Sequence, residues 1–369
     1  MMRTVEEPAR QIPVFAEVDV LVAGGGPAGI AAAIAAAREG ARVLLVERYG
    51  YLGGMITGAN VVAILGMGDG LCAKVRGISL EIRERLAHFG AVTPLRNGID
   101  YRVDNETFKW QAAEMVAEAG AELLLHTQVC MPIVRDGAVR GAFVESKSGR
   151  QAILADVTID CTADADLVYR AGCSCDHETH DVTLVTRIEG VDTARVAAFA
   201  QESPAAYERI MEEAKRLNGG TAIGSPRYLK SLDITDAVAL TRGEMQLRRE
   251  AFETLRYLHQ HLPGYEEARI AITYPQLGVR LSRRIHGMYR LVDDDLVNSR
   301  HFEDGIARLG VYFPDWGPIY QRVGLDYDVP YRCLVPQGID GLLVAGRCIS
   351  CGKCLASIYQ EVSNTGGDR

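Results

Sequence analysis

Gly24, Gly26 and Gly29 form a G-x-G-x-x-G turn within the run Gly24-Gly25-Gly26-Pro27-Ala28-Gly29, and Glu47 lies 18 residues beyond the last of them. Residues of these types at this spacing suit the binding of a dinucleotide. The first glycine permits a tight turn, the second lets backbone approach a pyrophosphate, and the third lets a helix pack on a strand. A helix opening at this point turns its dipole and free N–H groups toward phosphate. A carboxylate at Glu47 can accept hydrogen bonds from ribose hydroxyls and repels a 2′-phosphate. A glycine-rich turn in some other α/β protein is the plain alternative, and it leaves Glu47 unexplained.

Further clusters carry possible chemistry. Arg280, Arg283 and Arg284, with His286, can clamp an anionic substrate, because guanidinium stays charged and recognises carboxylate bidentately. They can equally form salt bridges to Asp293, Asp294 or Asp295. Tyr274, Tyr327 and Tyr331 can donate protons or line a pocket, although each is also an ordinary core aromatic. Cys348, Cys351 and Cys354 form C-x-x-C-x-x-C, which resembles part of an iron–sulfur motif, or a redox dithiol activated by Lys353. No fourth cysteine follows at the usual spacing, so a cluster would need Cys333 or another ligand, and small buried residues are the third reading. Cys173, Cys175, His177 and His180 have soft donors suited to zinc, in a polar loop with nothing else to support a metal. His88, His126, His259, His261 and His301 look incidental.

The elements that would position these residues follow from pattern. Val18–Ala23 is a short apolar run ending in the glycines, Ala28–Ala37 has helix composition up to Gly40, and Val43–Val46 is a second buried strand ending at Glu47. That is a βαβ unit. Val75, Ile78, Ile82, Leu86 and Phe89 share one helical face. A second helix starts near Asp104 or Asn105, with Phe108, Ala112, Met115, Val116 and Ala119 inward and Gly120 as its stop. Leu123–Leu125 reads as a strand, Asp136-Gly137 and Ser148-Gly149 as hairpin turns of a small meander, and Val157–Asp160 as a further strand. From about Asp164 to Pro330, charge-rich helical segments (Thr193–Leu217, Thr235–Leu262) alternate with breaks, and Leu342–Ala345 is again a buried strand before Gly346. The expected class is α/β: a Rossmann-like domain, parallel sheet plus small antiparallel meander, carrying an inserted α+β substrate domain. Its expected division is 1–165 first part, 166–330 insertion, and 331–369 the return, cut short.

Scattered charge of both signs, net −8, gives no basic stripe and argues against nucleic acid. The longest apolar stretches, such as Gly58–Met67, are too short to span a bilayer, so no membrane is expected. A charged Met1–Arg10 without an apolar core and nine dispersed cysteines point to reduced thiols in the cytoplasm.

The residues just after Glu47 distinguish FAD from NAD. Tyr51-Leu52-Gly53-Gly54-Met55-Ile56-Thr57-Gly58 has little side-chain bulk and can run along a long cofactor toward its ring, which favours FAD. No second fingerprint follows a strand (Gly219–Gly224 lacks one), so a dedicated NAD(P)H domain is not expected. The chain resembles FAD-dependent oxidoreductases grouped with the A subunit of heterodisulfide reductase, within the glutathione-reductase-type flavoprotein fold. The resemblance rests on the fingerprint, Leu52-Gly53-Gly54-Met55, Thr127-Gln128-Val129, Asp160–Asp166, Gln276–Arg284 and Val344–Ser350. It implies cofactor contacts at Gly24, Gly26, Pro27, Ala28, Gly29, Glu47, Arg48, Gly53, Gly54, Met55 and Thr57. It implies others at Val129, where backbone meets the adenine, and at Thr162, Asp164, Gly346 and Arg347.

Four departures from the family pattern stand out. Ala163 occupies a usual glycine, Leu281 a common acid, and Gly317 the histidine that often follows an acid such as Asp315 by two residues. The chain ends at Arg369, soon after Ser357-Ile358, where relatives continue with a helix that closes the flavin site. Asn364-Thr365-Gly366-Gly367 reads as its beginning, so a more open site with weakened flavin affinity is expected. The reading is an FAD-dependent oxidoreductase moving a hydride between the flavin and a small, anionic organic substrate. Arg280, Arg283 and Arg284 would serve substrate or flavin electrostatics, with Tyr274 and Tyr331 as secondary candidates. The electron partner is open among oxygen, a quinone, NAD(P)H or a protein, and a homo-oligomer is an option. The rivals are a degenerate flavin-fold scaffold, a dithiol or iron–sulfur electron carrier using Cys348, Cys351 and Cys354, and an NAD-dependent dehydrogenase.

Overall fold

The computed structural model describes residues 3–95, 98–310 and 323–352. Strand β1 runs over Val14–Ala23, helix α1 over Pro27–Arg38 and strand β2 over Val43–Val46. β1 starts four residues earlier than its apolar run suggests. Its exposed first half is held by pairing, with Val14 opposite Ala152 and Glu17 opposite Leu154. Leu21, Val22, Ala23 and all of β2 are buried on both faces, as central parallel strands must be. Burying each such aliphatic side chain stabilises the fold by about 1.5–3 kcal/mol relative to exposure.

The main sheet has the order Glu122–Leu124, β2, β1, Gly149–Asp160, Ala138–Ser146, Gln128–Arg135. Its first four strands are parallel, and the last two complete an antiparallel meander. The 12-residue strand Gly149–Asp160 belongs to both parts. Its first half pairs antiparallel with Ala138–Ser146, and its second half pairs parallel with Leu342–Val344, with Val344 opposite Asp160. Val157–Asp160 is therefore the end of a longer strand.

One sheet face is covered by α1 and by Asn105–Glu118, whose N-cap Asp104 accepts from Thr107 N at 2.8 Å, and Ile78–His88 packs on both of these helices. Phe89, expected inward, is half-exposed just past the helix end and packs edge-on against Trp110, ring centroids 4.9 Å apart. Helical phase ceases to govern direction once the helix stops.

After the short helix Asp166–Arg170, the chain forms paired strands Cys175–His177 with Arg283–Ile285, and Thr186–Glu189 with Arg269–Thr273. It also forms a three-stranded sheet of Arg227–Leu232, His180–Leu184 and Gly278–Val279. The expected helical segment Thr193–Leu217 is two helices, Thr193–Glu202 and Pro204–Leu217. Ser203 precedes a proline, which disfavours helical backbone and supplies no N–H. The helix Ala237–His261 packs across this layer. Among the described residues, no helix is long and apolar enough to cross a membrane.

Candidate functional site

The ends of β1, β2 and Gly149–Asp160 converge on one cleft, with about 930 Å3 of space open to solvent. Gly24 has a φ of +112°, and a Cβ added there would overlap the carbonyl of Cys161 on the neighbouring strand. Only glycine adopts that backbone at so close an approach. At Gly29 an added Cβ would run into the Gly24 carbonyl, so this glycine is where helix meets strand. Gly26 differs, because its φ is an ordinary −71° and an added Cβ would meet nothing nearer than Gly54 Cα at 3.8 Å. The space beside Gly26 belongs to the cleft.

Gly26 caps α1 without a side-chain hydrogen bond and Pro27 opens it, so the first-turn N–H groups of Ala28 and Gly29 have no acceptor within the helix. Dipole and donors together favour an anion there. Glu47 is buried at the end of β2, where its two oxygens accept from Gly25 N (2.7 Å) and Tyr49 N (2.9 Å). It points at the glycine turn, and each carboxylate oxygen keeps a further lone pair. A cradle bounded by backbone, a free helix N-terminus and an acceptor carboxylate fits an adenosine diphosphate moiety, such as the one FAD carries.

Gly24, Gly26, Pro27, Ala28, Glu47, Arg48, Gly54, Met55, Val129, Thr162, Asp164, Gly346 and Arg347 all line this cleft. Gly29, Gly53 and Thr57 do not. Gly29 packs helix on strand, Gly53 is occupied from behind by Thr57 and Phe108, and the buried Thr57 hydroxyl donates to Leu52 O at 2.7 Å. Gly53 and Thr57 therefore shape the loop from outside the cleft, and Gly29, packed against the strand, offers the cleft at most its backbone N–H.

Asp160 is fully buried and accepts from Thr162 N, Thr162 Oγ1, Leu167 N and Val168 N at 2.6–3.2 Å. Burial pushes its carboxyl upward, and those four donors oppose the shift. This pins the turn Thr162–Ala165, in which Ala163 (φ +72°) and Ala165 (φ +52°) are left-handed. Asp164 ties that turn to the rest of the cleft wall. It accepts from Arg347 Nη2 at 2.8 Å and makes a very short hydrogen bond with Ser282.

The arginines separate. Arg283 Nη1 bonds Asp166 Oδ1 at 3.0 Å, and its guanidinium lies over the Tyr169 ring at 4.2 Å. Arg284, only 2% exposed, bonds Glu178 Oε1 at 2.6 Å and lies 3.5 Å from Asp176 Oδ2. Asp176 also meets His286 and Arg290 at 3.0 and 2.8 Å. The acids are thus Asp166, Asp176 and Glu178, not Asp293, Asp294 or Asp295. Asp295 is taken up by Tyr289 and Arg300. None of Arg280, Arg283 and Arg284 lines the cleft itself. Arg280 is half-buried beside Val279, whose N–H approaches Met55 Sδ at 3.4 Å, and it has no ion-pair or hydrogen-bond partner among the described residues.

The tyrosines lie outside the cleft. Tyr274 is buried behind it, its carbonyl accepting from Arg248 at 3.1 Å, and burial pushes its phenol upward. Tyr327 is fully buried, and Tyr331 sits 43% exposed on the turn Tyr331–Cys333.

Cys348 and Cys351 are buried. Burial drives the Cys348 thiol well up and the Cys351 thiol to about 12, so neither is a thiolate near neutrality. An activated dithiol is at odds with this environment. Cys354, Lys353, Asp315, Gly317 and the segment after Gly352 lie outside the described residues. In the Cys173–His180 loop the donors diverge. His177 meets Asp233 at 3.1 Å, His180 approaches its neighbour's carbonyl, and burial raises Cys175 to about 11. Among the described residues no three such side chains gather around a metal-sized space.

Gln276 is the cleft residue that sequence reasoning missed as a contact. Its Oε1 accepts from Tyr49 Oη (3.0 Å) and Arg48 Nη2 (3.3 Å), and its Nε2 donates to Gly54 O (3.2 Å). It joins the loop after β2 to the bend before Gly278–Val279, more than 220 residues away, a closeness no local pattern signals. Tyr49 also lines the cleft, without a sequence signal of its own.

A family model described as FAD dependent oxidoreductase matches residues 19–357. The digeranylgeranylglycerophospholipid reductase of Methanoculleus marisnigri is 32% identical over 162 residues, 42% of this chain and 41% of that protein. The protein of the same name from Methanosphaerula palustris is 30% identical over 235 residues, 58% of this chain and 57% of that protein. The matched stretches thus span about two-fifths to three-fifths of those relatives. A solved geranylgeranyl bacteriochlorophyll reductase-like protein from Thermoplasma acidophilum superposes with a TM-score of 0.42 at 16% identity, covering 72% of this chain and 68% of that one. The two reductases of Methanoculleus marisnigri and Methanosphaerula palustris do not support the narrower affiliation with the A subunit of heterodisulfide reductase.

Proposed function

The chain belongs to the FAD-dependent oxidoreductase family, and from that premise we propose that it passes a hydride between FAD and an organic substrate held beside Met55 and Arg280. The observation that carries the reading is the cradle at Gly26, where open space, the α1 N-terminus and the Glu47 carboxylate meet. Bound FAD supplies the hydride chemistry. Ala28 and Gly29 N–H groups would hold its phosphates, Glu47 its ribose, Val129 and the backbone around it the adenine. Gly346 and Arg347, across the cleft, would hold the far end, with Arg347 oriented by Asp164.

Arg280 is the residue proposed to meet the substrate, through an anionic group that would complete its open coordination. Arg283 and Arg284, already paired, would hold the wall in place. A second, finer reading is a lipid with geranylgeranyl chains, the kind of molecule for which those relatives are named. The phosphate of such a lipid is also a group Arg280 could accept. The bounds 1–165, 166–330 and 331–369 are proposed as the cofactor domain, the substrate-facing insertion and the return.

The test is spectroscopic. Purified protein should carry FAD, bleach with dithionite under anaerobiosis, and reoxidise when offered small unsaturated acids or geranylgeranyl lipids. Protein that takes up no flavin would refute the cofactor assignment. Holoprotein that reoxidises with neither substrate class would refute the substrate assignment alone.

A further inference from the structure

The helix Ala237–His261 buries Gly243, Leu247, Ala251, Thr254, Leu255 and Leu258 against the inserted layer. Its opposite side carries a different pattern. Val238, Arg242, Met245, Arg249, Phe252 and Arg256 fall within an arc of about 80° and follow one another along about 27 Å of helix axis. All six are exposed, the three apolar ones at 57%, 60% and 56%. Apolar and guanidinium side chains therefore alternate in one straight row. The exposed acid on this helix, Glu253, lies at the margin of the arc. Arg242, Arg249 and Arg256 have no ion-pair partner among the described residues, whereas Arg248, off this face, pairs with Glu244. Glu250 and Glu253 flank Arg242 and Arg249 at the side of the row, but a row of three guanidiniums without an ion pair, on a chain of net charge −8, is still a local reversal of the protein's average.

We propose that this face is a peripheral docking surface for an anionic lipid bilayer. Charge complementarity selects the sign of the partner, and the interleaved apolar side chains select its kind. An acidic protein or nucleic acid would satisfy the arginines but leave Val238, Met245 and Phe252 without apolar surroundings. The interface of an anionic bilayer offers both within a few ångströms, with phosphate at the level of the guanidiniums and hydrocarbon beneath. Arginine suits that boundary, because its stem lies along apolar surface while its fork meets phosphate bidentately. The helix lies on such a surface rather than crossing it, in keeping with the absence of a spanning helix among the described residues. Apolar run length, from which no membrane was expected, speaks only to spanning segments. The docking face goes beyond the flavin chemistry and does not depend on it.

The experiment is sedimentation of the holoprotein with sucrose-loaded vesicles, either phosphatidylcholine alone or an equal mixture with phosphatidylglycerol. Binding is expected to the mixed vesicles, to weaken strongly near 1 M salt where the Debye length is about 3 Å, and to be slight on neutral ones. Each arginine near the surface should contribute about fivefold, so Arg242→Gln/Arg249→Gln/Arg256→Gln should bind about 100-fold more weakly. Phe252→Ser should weaken the salt-resistant remainder. Flavin content and dithionite bleaching should be unchanged in both variants, which shows that they fold. The proposal is overturned if wild type ignores anionic vesicles, if it binds neutral and anionic vesicles alike, or if the triple variant binds as wild type does. It is also overturned if sedimentation velocity shows a dimer that Phe252→Ser dissolves, because a second copy then covers this face.

Discussion

The three fingerprint glycines should respond differently to the same substitution, and the structure says how. At Gly26, alanine meets nothing nearer than 3.8 Å and keeps an allowed backbone. The loss of a glycine N-cap and the reduced freedom of the unfolded chain are each about 0.5–1 kcal/mol and opposite in sign. Apoprotein stability should therefore stay within about 1 kcal/mol of wild type. The new methyl would, however, occupy the space where a phosphate meets the α1 N-terminus. Two charge-assisted N–H bonds, each worth about 1.5–3 kcal/mol, would be lost or lengthened. FAD should then bind at least about 100-fold more weakly, at about 1.4 kcal/mol per tenfold. At Gly24, alanine has a φ of +112° to adopt and the Cys161 carbonyl to displace, and at Gly29 it has the Gly24 carbonyl. Those variants should lose several kcal/mol of stability in the apoprotein itself. Urea melts of apoprotein and flavin-fluorescence titrations separate the two effects. If Gly26→Ala destabilised the apoprotein as much as Gly24→Ala, or held FAD as tightly as wild type, the cradle would be misread.

Three other outcomes are tied to particular residues. Ala163→Gly should relieve a left-handed alanine and raise stability by about 1 kcal/mol in urea melts; a loss would mean that the turn gains more from the Cβ than the backbone strain removes. Arg280→Gln should leave melting unchanged while raising KM for an anionic substrate at least about tenfold, whereas Arg283→Gln should lower stability by breaking the Asp166 contact; equal effects on melting would contradict the separation of these arginines. Cys348 and Cys351, with thiols raised by burial, should resist iodoacetamide at about pH 8 in native protein and react after unfolding, while exposed Cys72 reacts at once; peptide mass mapping tells them apart, and rapid native alkylation of Cys351 would revive a redox role.

Local order carried much of this protein's meaning. The strand, glycine turn, helix, strand and acid from Val14 to Glu47 lie within a few dozen residues, and each step has a short-range cause in backbone freedom, burial or capping. That order was legible, and with it the class of ligand. Ala163 was legible as an oddity, and its positive φ supplies the reason glycine is usual there. Tertiary structure decided where long side chains end. Arg280, Arg283 and Arg284 look alike within five residues, yet Asp166 and Glu178 claim two of them and leave the third open, because their partners come from elements over 100 residues away. Gln276 became a cleft residue only when Gly278–Val279 was laid beside His180–Leu184. The tyrosines left the site for the same reason. Sequence spacing fixes the phase of a side chain along its own helix or strand, whereas its neighbours come from the packing of elements distant in the chain.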